Sequence, residues 1–265
     1  MRRLPLFPLP VVLFPGAVTP LHIFEPRYRQ MVARCIEYDR RFGLLYHDPD
    51  RLGPFELTPG RVGTVAEIGE FRILPEGRSL LLATGIERFR IVDGIESDTK
   101  YYEALVEPMF DVAGDDPGEA RGDAGADVQG EDEVRRQGRG AGGDGEIPGQ
   151  GNASGAPGGA GVERGPPPWE PDAGTREEEL MERRRQTLSL LEVVVDRLGL
   201  PGDEVEAIPP LDPAEEVSFR VAALIQTDPM WQHGLLSLTG EPARLDRIDA
   251  LLRDALAAGD PTREP

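Results

Sequence analysis

Prolines interrupt an apolar stretch near the N-terminus, and this pattern carries the clearest information about the fold. Residues 4–24 read LPLFPLPVVLFPGAVTPLHIF, and EPRY follows at 25–28. Proline fixes φ and lacks an N–H, so it suits strand starts, sheet edges and bends better than central strands. The stretch therefore predicts short extended segments cut by prolines, with a turn at Pro15-Gly16 between Val11–Phe14 and Thr19–Phe24.

A helix is predicted to begin at about Pro26, because proline suits the first helical position. Apolar residues then recur at the spacing of a single helical face. They are Tyr28, Met31, Val32, Cys35 and Ile36. We expect this stripe to pack onto a sheet rather than to form a ligand site.

Short strands are predicted after this helix, and residues 48–60 are predicted to be a loop. The strands are Phe42–His47, Val62–Leu74, Ser79–Ala83, Glu87–Val92 and Tyr101–Val106. Pro75-Glu76-Gly77-Arg78 has the composition of a hairpin connection. Five or six short strands with one helix in about 110 residues predict a small barrel or curled sheet.

The composition changes abruptly after residue 110. Residues 111–175 are rich in glycine, proline and acidic residues and almost lack large apolar ones, so we predict a disordered insert. Helical patterns resume at Arg176, and further helices are predicted from Asp212-Pro213, Asp228-Pro229 and Glu241-Pro242. The fold class is therefore α+β. The predicted units are a barrel at 1–110, the insert at 111–175, a helical bundle at 176–258 and a disordered tail at 259–265.

The charge distribution limits the partners. The chain carries a formal net charge of −19, yet residues 1–110 are close to neutral, so the acidity lies in the remainder. The acidic part should repel nucleic acid and anionic membranes. Prolines interrupt the apolar N-terminal run, which argues against a signal peptide, and no apolar run is long enough to span a membrane. A cytoplasmic location is expected.

The sequence offers no constellation for catalysis, for a metal or for another cofactor. A P-loop and a G-x-S-x-G elbow are both missing, and the three histidines are scattered without metal-ligand spacing. Lys100 is the sole lysine, and no serine is placed to favour a Ser–Lys dyad with it. Cys35 is the single cysteine and is expected to be a small buried apolar residue. We therefore predict a non-enzymatic protein without a cofactor.

Several segments together resemble the substrate-binding N-terminal domain of Lon-type proteases. They are the opening LPLFPL (4–9), VLFPG (12–16), PLHIFEPRY (20–28), FGLL (42–45), VGT (62–64), PEGR (75–78), Gly85 and RFRI (88–91). The resemblance covers residues 4–110 closely and 176–256 loosely. It implies a PUA-like curled β-barrel with one helix, followed by a helical bundle, in a stand-alone member without ATPase or protease domains. The long insert departs from the family pattern.

The resemblance also implies a function, namely the binding of unfolded or degron-bearing polypeptide, with delivery to a protease or a chaperone. The expected contact residues are Phe7, Phe14 and Phe24, beside polar Glu25, Arg27 and Tyr28. An apolar patch with a polar rim is typical of surfaces that capture other chains. The alternative is that the three phenylalanines fill the barrel core. The segment Glu25–Tyr28 is expected to face solvent.

Two other functions remain open at this point. PUA-like barrels include RNA-binding members, and the near-neutral N-terminal part carries arginines at 2, 3, 27, 29, 34, 40 and 41. Against RNA stand the acidic remainder and the lack of aromatic residues interleaved with basic ones. The other alternative is a regulatory partner that binds a protease directly.

Overall fold

The computed structural model describes residues 1–112, 173–198 and 210–258. The strands are β1 Arg2–Leu9, β2 Val18–Ile23, β3 Arg41–Tyr46, β4 Val62–Ile73, β5 Ser79–Gly94 and β6 Tyr102–Pro108. The helices are α1 Pro26–Glu37, α2 Pro49–Leu52, α3 Ala173–Leu198, α4 Ser218–Leu224, α5 Pro229–Leu236 and α6 Glu241–Ala258. The core of the predicted insert (113–172), the predicted helix stop at 199–201 and the predicted tail (259–265) lie outside the described residues.

The six strands form one mixed sheet in the order β2-β5-β4-β3-β1-β6. β5 also pairs with β6, which closes β1, β3, β4, β5 and β6 into a ring. β2 pairs only with the first half of β5 and therefore lies outside the ring as an edge strand. The predicted barrel or curled sheet with a following helical region is confirmed. The predicted loop at 48–60 additionally contains the short helix α2, which Asp48 caps by accepting from the Asp50 amide.

β1 is a single strand although prolines interrupt its sequence. Its first half, Arg2–Leu6, pairs with β6, and its second half, Leu6–Leu9, pairs with β3. Pro5 therefore has a strand partner on one side and Pro8 on the other. The backbone nitrogen of each proline, which carries no hydrogen, can face the side that has no partner strand, so no ladder hydrogen bond is lost. The predicted segment Val11–Phe14 is not a strand.

α1 packs on the sheet through the predicted stripe. Tyr28, Met31, Val32 and Cys35 are buried, and they join side chains of β1 to β5 in one core cluster. A second cluster fills the interior of the ring, where Leu4, Leu6 and Phe89 meet. Both faces of β1 are therefore covered, one by the ring interior and the other by α1.

β5 is one long strand where the sequence predicted two. The ladder with β4 shifts register between Val65 and Ala66, opposite Gly85. A Cβ at Gly85 would overlap the carbonyl oxygen of Phe14, so only glycine allows this close approach. The irregularity lets β5 pair with β2 before Gly85 and with β6 after it.

The helical part consists of α3 to α6, and no helix of the described ranges is long and apolar enough to cross a membrane. α3 begins at Ala173, three residues before the predicted start, and packs on α6. Asp212-Pro213 forms a turn instead of opening a helix. The helix starts later because Glu216 accepts from the Phe219 amide and Glu241 accepts from the Val217 amide, a contact that sequence proximity does not reveal.

The barrel and the helical part share a core. Phe14, Val62 and Met109 of the barrel side belong to the same cluster as Phe219 and Ile248 of the helices. The predicted insert was expected to begin at residue 111, but Asp111 forms ion pairs with Arg88 and Arg244, and the Val112 amide donates to the Thr239 carbonyl. The chain is therefore anchored to both parts beyond residue 110.

Candidate polypeptide-binding surface

The six residues that were predicted to contact bound polypeptide differ in their exposure to solvent. Phe7, Phe14 and Tyr28 are buried, and Glu25 and Arg27 are partly exposed. Phe24 is 59% exposed. The expectation that the whole segment Glu25–Tyr28 faces solvent is wrong at Tyr28, which is only 3% exposed.

Phe7 and Tyr28 are part of the core beneath α1. Their ring centroids lie 4.1 Å apart, and Phe7 also lies 6.1 Å from Phe42. Burial raises the pKa of the Tyr28 hydroxyl to about 12, against the opposing effect of the nearby Arg27 charge. Arg27 covers the outer side of the Tyr28 ring at 4.5 Å. These rings hold α1 on the sheet and are not available to a partner.

Phe14 lies where the barrel meets the helices. Its ring stacks on Phe219 of α4 with 5.8 Å between the centroids, and its side chain is 2% exposed. The hypothesis that Phe14 contacts bound polypeptide is therefore not supported by its position. The alternative, that it fills the core, describes both Phe7 and Phe14.

Phe24 lies on an exposed apolar face formed by the sheet outside the ring. Pro20 is opposite Leu82 and His22 is opposite Leu80 in the β2–β5 ladder, so these side chains share one face. Phe24 follows β2 and its ring lies 5.7 Å from that of His22. We call this surface the outer face, and it consists of Val18, Pro20, His22, Phe24, Leu80 and Leu82, all of them exposed.

A groove opens on the other side of the same strands, between α1 and the β4–β5 hairpin. Its volume is about 510 Å³. Val32 and Ala33 of α1 form one wall, and Phe71 and Ile73 of β4 form the other, with the Arg29 side chain at the hairpin turn. We call it the α1 groove.

The turn at Gly77 shapes the α1 groove. Gly77 has φ of +70°, and a Cβ there would overlap the guanidinium of Arg29. Glycine therefore permits both the turn and the approach of this cation. Arg29 forms no ion pair among the residues that the structure describes, so its charge stays available at the edge of an apolar groove.

Glu25 and Arg27 lie between the two apolar surfaces, at the start of α1. Arg27 Nε donates to Glu25 Oε2 at 2.9 Å, and both side chains are 40% exposed. This pair gives the outer face a polar border. The sequence prediction of polar residues beside Phe24 thus agrees with their positions.

Four apolar residues of these surfaces were not predicted from the sequence as binding residues, namely Leu80, Leu82, Phe71 and Ile73. A signal was present in Ser79–Ala83, which reads SLLLA. Because side chains alternate between the two faces of a strand, three consecutive leucines place Leu80 and Leu82 opposite buried Leu81. Leu80 and Leu82 therefore form an apolar row on the face of β5 that points away from buried Leu81.

The site offers side-chain contact rather than chemistry. No group of three or more His, Cys, Asp or Glu side chains able to hold a metal ion occurs within 1–112, 173–198 and 210–258. Apolar faces with a polar border bind other chains by burying their apolar side chains.

The sequence matches the family model described as the ATP-dependent protease La (LON) substrate-binding domain over residues 3–254. Cereblon of Danio rerio is 35% identical over 97 residues, covering 35% of this chain and 22% of that protein. A Lon protease of Cytophaga hutchinsonii is 29% identical over 111 residues, covering 41% of this chain and 14% of that protein. This chain therefore spans less than a quarter of either relative.

A solved structure has the same fold. The N-terminal domain of the Mycobacterium avium complex Lon protease superposes with a TM-score of 0.56 at 12% sequence identity, covering 96% of this chain and 99% of that one. At this identity the likeness concerns the fold alone.

Proposed function

The chain belongs to the LON substrate-binding domain family, and from that premise we propose that it binds exposed segments of unfolded or degron-bearing polypeptides through the outer face and the α1 groove. Binding is non-catalytic, and any reaction on the bound chain is carried out by a partner such as a protease or a chaperone. The proposal does not extend to the activities of the Lon protease or of cereblon, because this chain matches only a fraction of the length of each protein.

The observation that carries this proposal is the row of exposed apolar side chains that runs along β2 and β5 toward Phe24. Leu80 and Leu82 lie opposite His22 and Pro20, and Val18 lies at the other end of β2 from Phe24, on a face that no other described element covers. Large apolar side chains exposed together lower the free energy when another chain covers them, by about 25 cal/mol for each Å² of apolar surface buried. An unfolded segment supplies apolar side chains in extended conformation, which suits a flat face and a neighbouring groove.

The edge of β2 is less suited to strand addition than the face is to side-chain contact. β2 ends the sheet, but Pro20 in its centre has no N–H to offer. Proline at an edge strand discourages pairing with an added strand. Affinity is therefore expected to depend on side chains such as Phe24 and Leu82.

The ion pairs of the barrel argue against RNA as the ligand. Arginines that the sequence offered for RNA are paired with carboxylates, and these pairs are Arg2–Glu87, Arg3–Glu103, Arg27–Glu25, Arg34–Glu103 and Arg41–Glu67. A phosphate would have to displace a carboxylate at these five arginines, which leaves Arg29 and Arg40 as the two of the seven without a carboxylate partner among the described residues and limits the positive charge available to RNA.

The test is fluorescence anisotropy with a labelled, permanently unfolded polypeptide. We expect Phe24→Ser and Leu82→Ser each to weaken binding about tenfold, as expected for loss of a well-packed apolar contact of about 1.4 kcal/mol. Tyr38→Ser is the matched control, because Tyr38 is 77% exposed at the far end of α1 and should leave affinity unchanged.

Unchanged affinity in both outer-face variants, with unchanged circular dichroism, would refute the proposed surface. A labelled structured RNA is measured in parallel at two salt concentrations. Salt-sensitive binding of RNA without binding of polypeptide would favour the RNA alternative.

A further inference from the structure

A second cavity lies where the barrel meets the helical part, away from the outer face. Its volume is about 590 Å³. The end of β3 contributes Tyr46 and His47, the segment before β4 contributes Arg61, and α5 contributes Met230 and His233. The volume is within the range of pockets for small ligands or for the end of a peptide.

Arg61 brings a positive charge that forms no ion pair with a carboxylate of the described residues. Its guanidinium donates to two backbone carbonyls, from Nη1 to Glu56 O at 3.0 Å and from Nη2 to Tyr46 O at 2.8 Å. Burial lowers its pKa and is the only cause of that shift. Since an adjacent carboxylate would raise the pKa, the charge lacks a compensating anion within the described residues.

His47 adds a buried ring nitrogen that lacks a hydrogen-bond partner among the described residues. Its side chain is 7% exposed, its ring packs edge-on against Phe55 at 5.1 Å, and its Nε2 makes no hydrogen bond within the described part of the chain. A buried polar atom without a partner costs free energy, which a ligand that supplies the partner regains. The Tyr46 hydroxyl is also without a well-formed hydrogen bond, but Arg51 lies beside it, so the argument rests on His47.

His233 lies on the α5 side of the cavity. Its Nε2 lies 3.3 Å from the Val62 carbonyl, and its ring lies 5.5 Å from that of Tyr46. Burial lowers the pKa of His233, the Val62 carbonyl acts in the opposite sense, and the Arg61 charge adds to the lowering. The Arg61 charge thus acts on His233 across the cavity, whose other ionisable side chains include those of His47 and Glu56.

We propose that this cavity binds a carboxylate, which is held by Arg61 and by His47 Nε2. The apolar part of the ligand next to the carboxylate then packs against Leu52 and Met230. One guanidinium matches the single charge of a carboxylate, and its fork-like donors match the carboxylate oxygens. Glu56 at the same cavity disfavours a dianion such as phosphate. The carboxylate is either that of a small acid or the free carboxyl terminus of a polypeptide.

Histidine resonances provide the readout. The chain has three histidines, and His22 lies on the outer face, so its signal separates binding there from binding in the cavity. The full chain is titrated with N-acetyl-Ala-Ala-Leu as the free acid, with the same peptide as its amide, with acetate and with phosphate. Long-range ¹H–¹⁵N spectra follow the three imidazoles.

We expect the free acid to shift His47 and His233 saturably, and the amide to bind at least tenfold more weakly. Arg61→Gln should weaken binding of the acid at least tenfold. Arg90→Gln, which removes an equal charge from an exposed position opposite Val62, should not. Met230→Trp should block the cavity without removing a charge, which keeps the test valid if Arg61→Gln perturbs its loop.

The ligand source follows from the same titrations. Tighter binding of the peptide acid than of acetate supports a polypeptide carboxyl terminus, and equal binding supports a small acid. Equal shifts with acid and amide, wild-type affinity in Arg61→Gln and in Met230→Trp, or tighter binding of phosphate than of either carboxylate would overturn the proposal. Shifts confined to His22 would overturn it while leaving the outer-face function intact.

Discussion

Replacing Asp111 with alanine should strongly destabilise the protein, because two buried arginines depend on this carboxylate. Arg244 Nη1 donates to Oδ1 at 2.8 Å and Nη2 to Oδ2 at 2.5 Å, and Arg88 donates to Oδ1 as well. The side chain of Arg244 is fully buried and that of Arg88 nearly so, at 0% and 3% exposed. Both guanidinium groups also lie near the ring of Phe219, at 5.1 Å from its centroid for Arg88 and 4.2 Å for Arg244.

The size of the effect follows from what remains after the substitution. Arg88 keeps the carbonyls of Leu236 and Leu238, and Arg244 keeps Ser218 Oγ, the Leu238 carbonyl at 3.2 Å and a longer contact of 3.4 Å to Glu216. Removing one partner of a buried ion pair typically costs about 3–5 kcal/mol. Because Asp111 itself is 38% exposed, water can enter in its place, and we expect the lower end, about 3 kcal/mol.

The reverse substitution should cost less. Arg244→Met replaces the buried guanidinium with an apolar side chain and leaves Asp111 with Arg88 and with water. It forfeits the Ser218 hydrogen bond and the contact with the Phe219 ring, so we expect a loss of about 1–2 kcal/mol. Removal of the half-exposed acid should therefore lower the free energy of unfolding more than removal of the buried base that it neutralises.

Urea denaturation followed by far-UV circular dichroism measures both free energies of unfolding. Asp98→Ala is the matched control, because Asp98 is an exposed acid of the barrel without a side-chain hydrogen bond to any described residue, and it should shift stability by less than about 0.5 kcal/mol. A loss below about 1 kcal/mol for Asp111→Ala, or a larger loss for Arg244→Met, would show that the two buried guanidinium groups do not depend on this carboxylate.

Two further predictions concern buried titratable groups. Burial would raise the pKa of Glu103, but hydrogen bonds and the charges of Arg3 and Arg34 lower it below the ordinary 4.5. Glu103→Gln should therefore lower the free energy of unfolding by about 1–2 kcal/mol at pH 7. In acid–urea titrations this difference between variant and wild type should shrink as the pH falls from 4.5 through the lower folded-state pKa. A difference that persists at low pH would contradict this. Burial raises the pKa of Cys35 to about 12, so iodoacetamide at pH 8 should label it only on unfolding, whereas Glu37→Cys in a Cys35→Ala chain should be labelled when folded, by mass spectrometry.

Local patterns predicted those parts of the fold that depend on local causes. The α1 stripe and its start at Pro26 follow from helical spacing and from proline, and both agree with the structure. β5 could not be predicted as one strand, because Gly85 looks like a break. Its halves are continuous because the β4 ladder shifts register at Gly85, which also exchanges backbone hydrogen bonds with the distant Gly16 and Ala17.

The same limit applied to the candidate site. Phe7, Phe14 and Phe24 look alike in sequence, since each is an aromatic residue close to proline. Their burial differs because α1 covers Phe7, α4 covers Phe14, and no described element covers Phe24. The cavity around Arg61 was also beyond prediction, since its residues come from three separate segments that only the tertiary fold brings together.

The outer face and the cavity lie toward opposite ends of β4. Arg61 directly precedes β4, whereas Arg72 near its other end pairs with Leu80 of the outer face. At about 3.3 Å per residue, the eleven residues from Arg61 to Arg72 span about 36 Å along the strand, so substitutions at one site should not perturb the other directly. A short peptide can therefore occupy only one of them at a time.

A long unfolded chain with a free carboxyl terminus can span both sites with about ten extended residues, and binding at one site then raises the effective concentration of the chain at the other. Amidation of the long chain should consequently weaken its binding to the wild-type protein but not to Arg61→Gln.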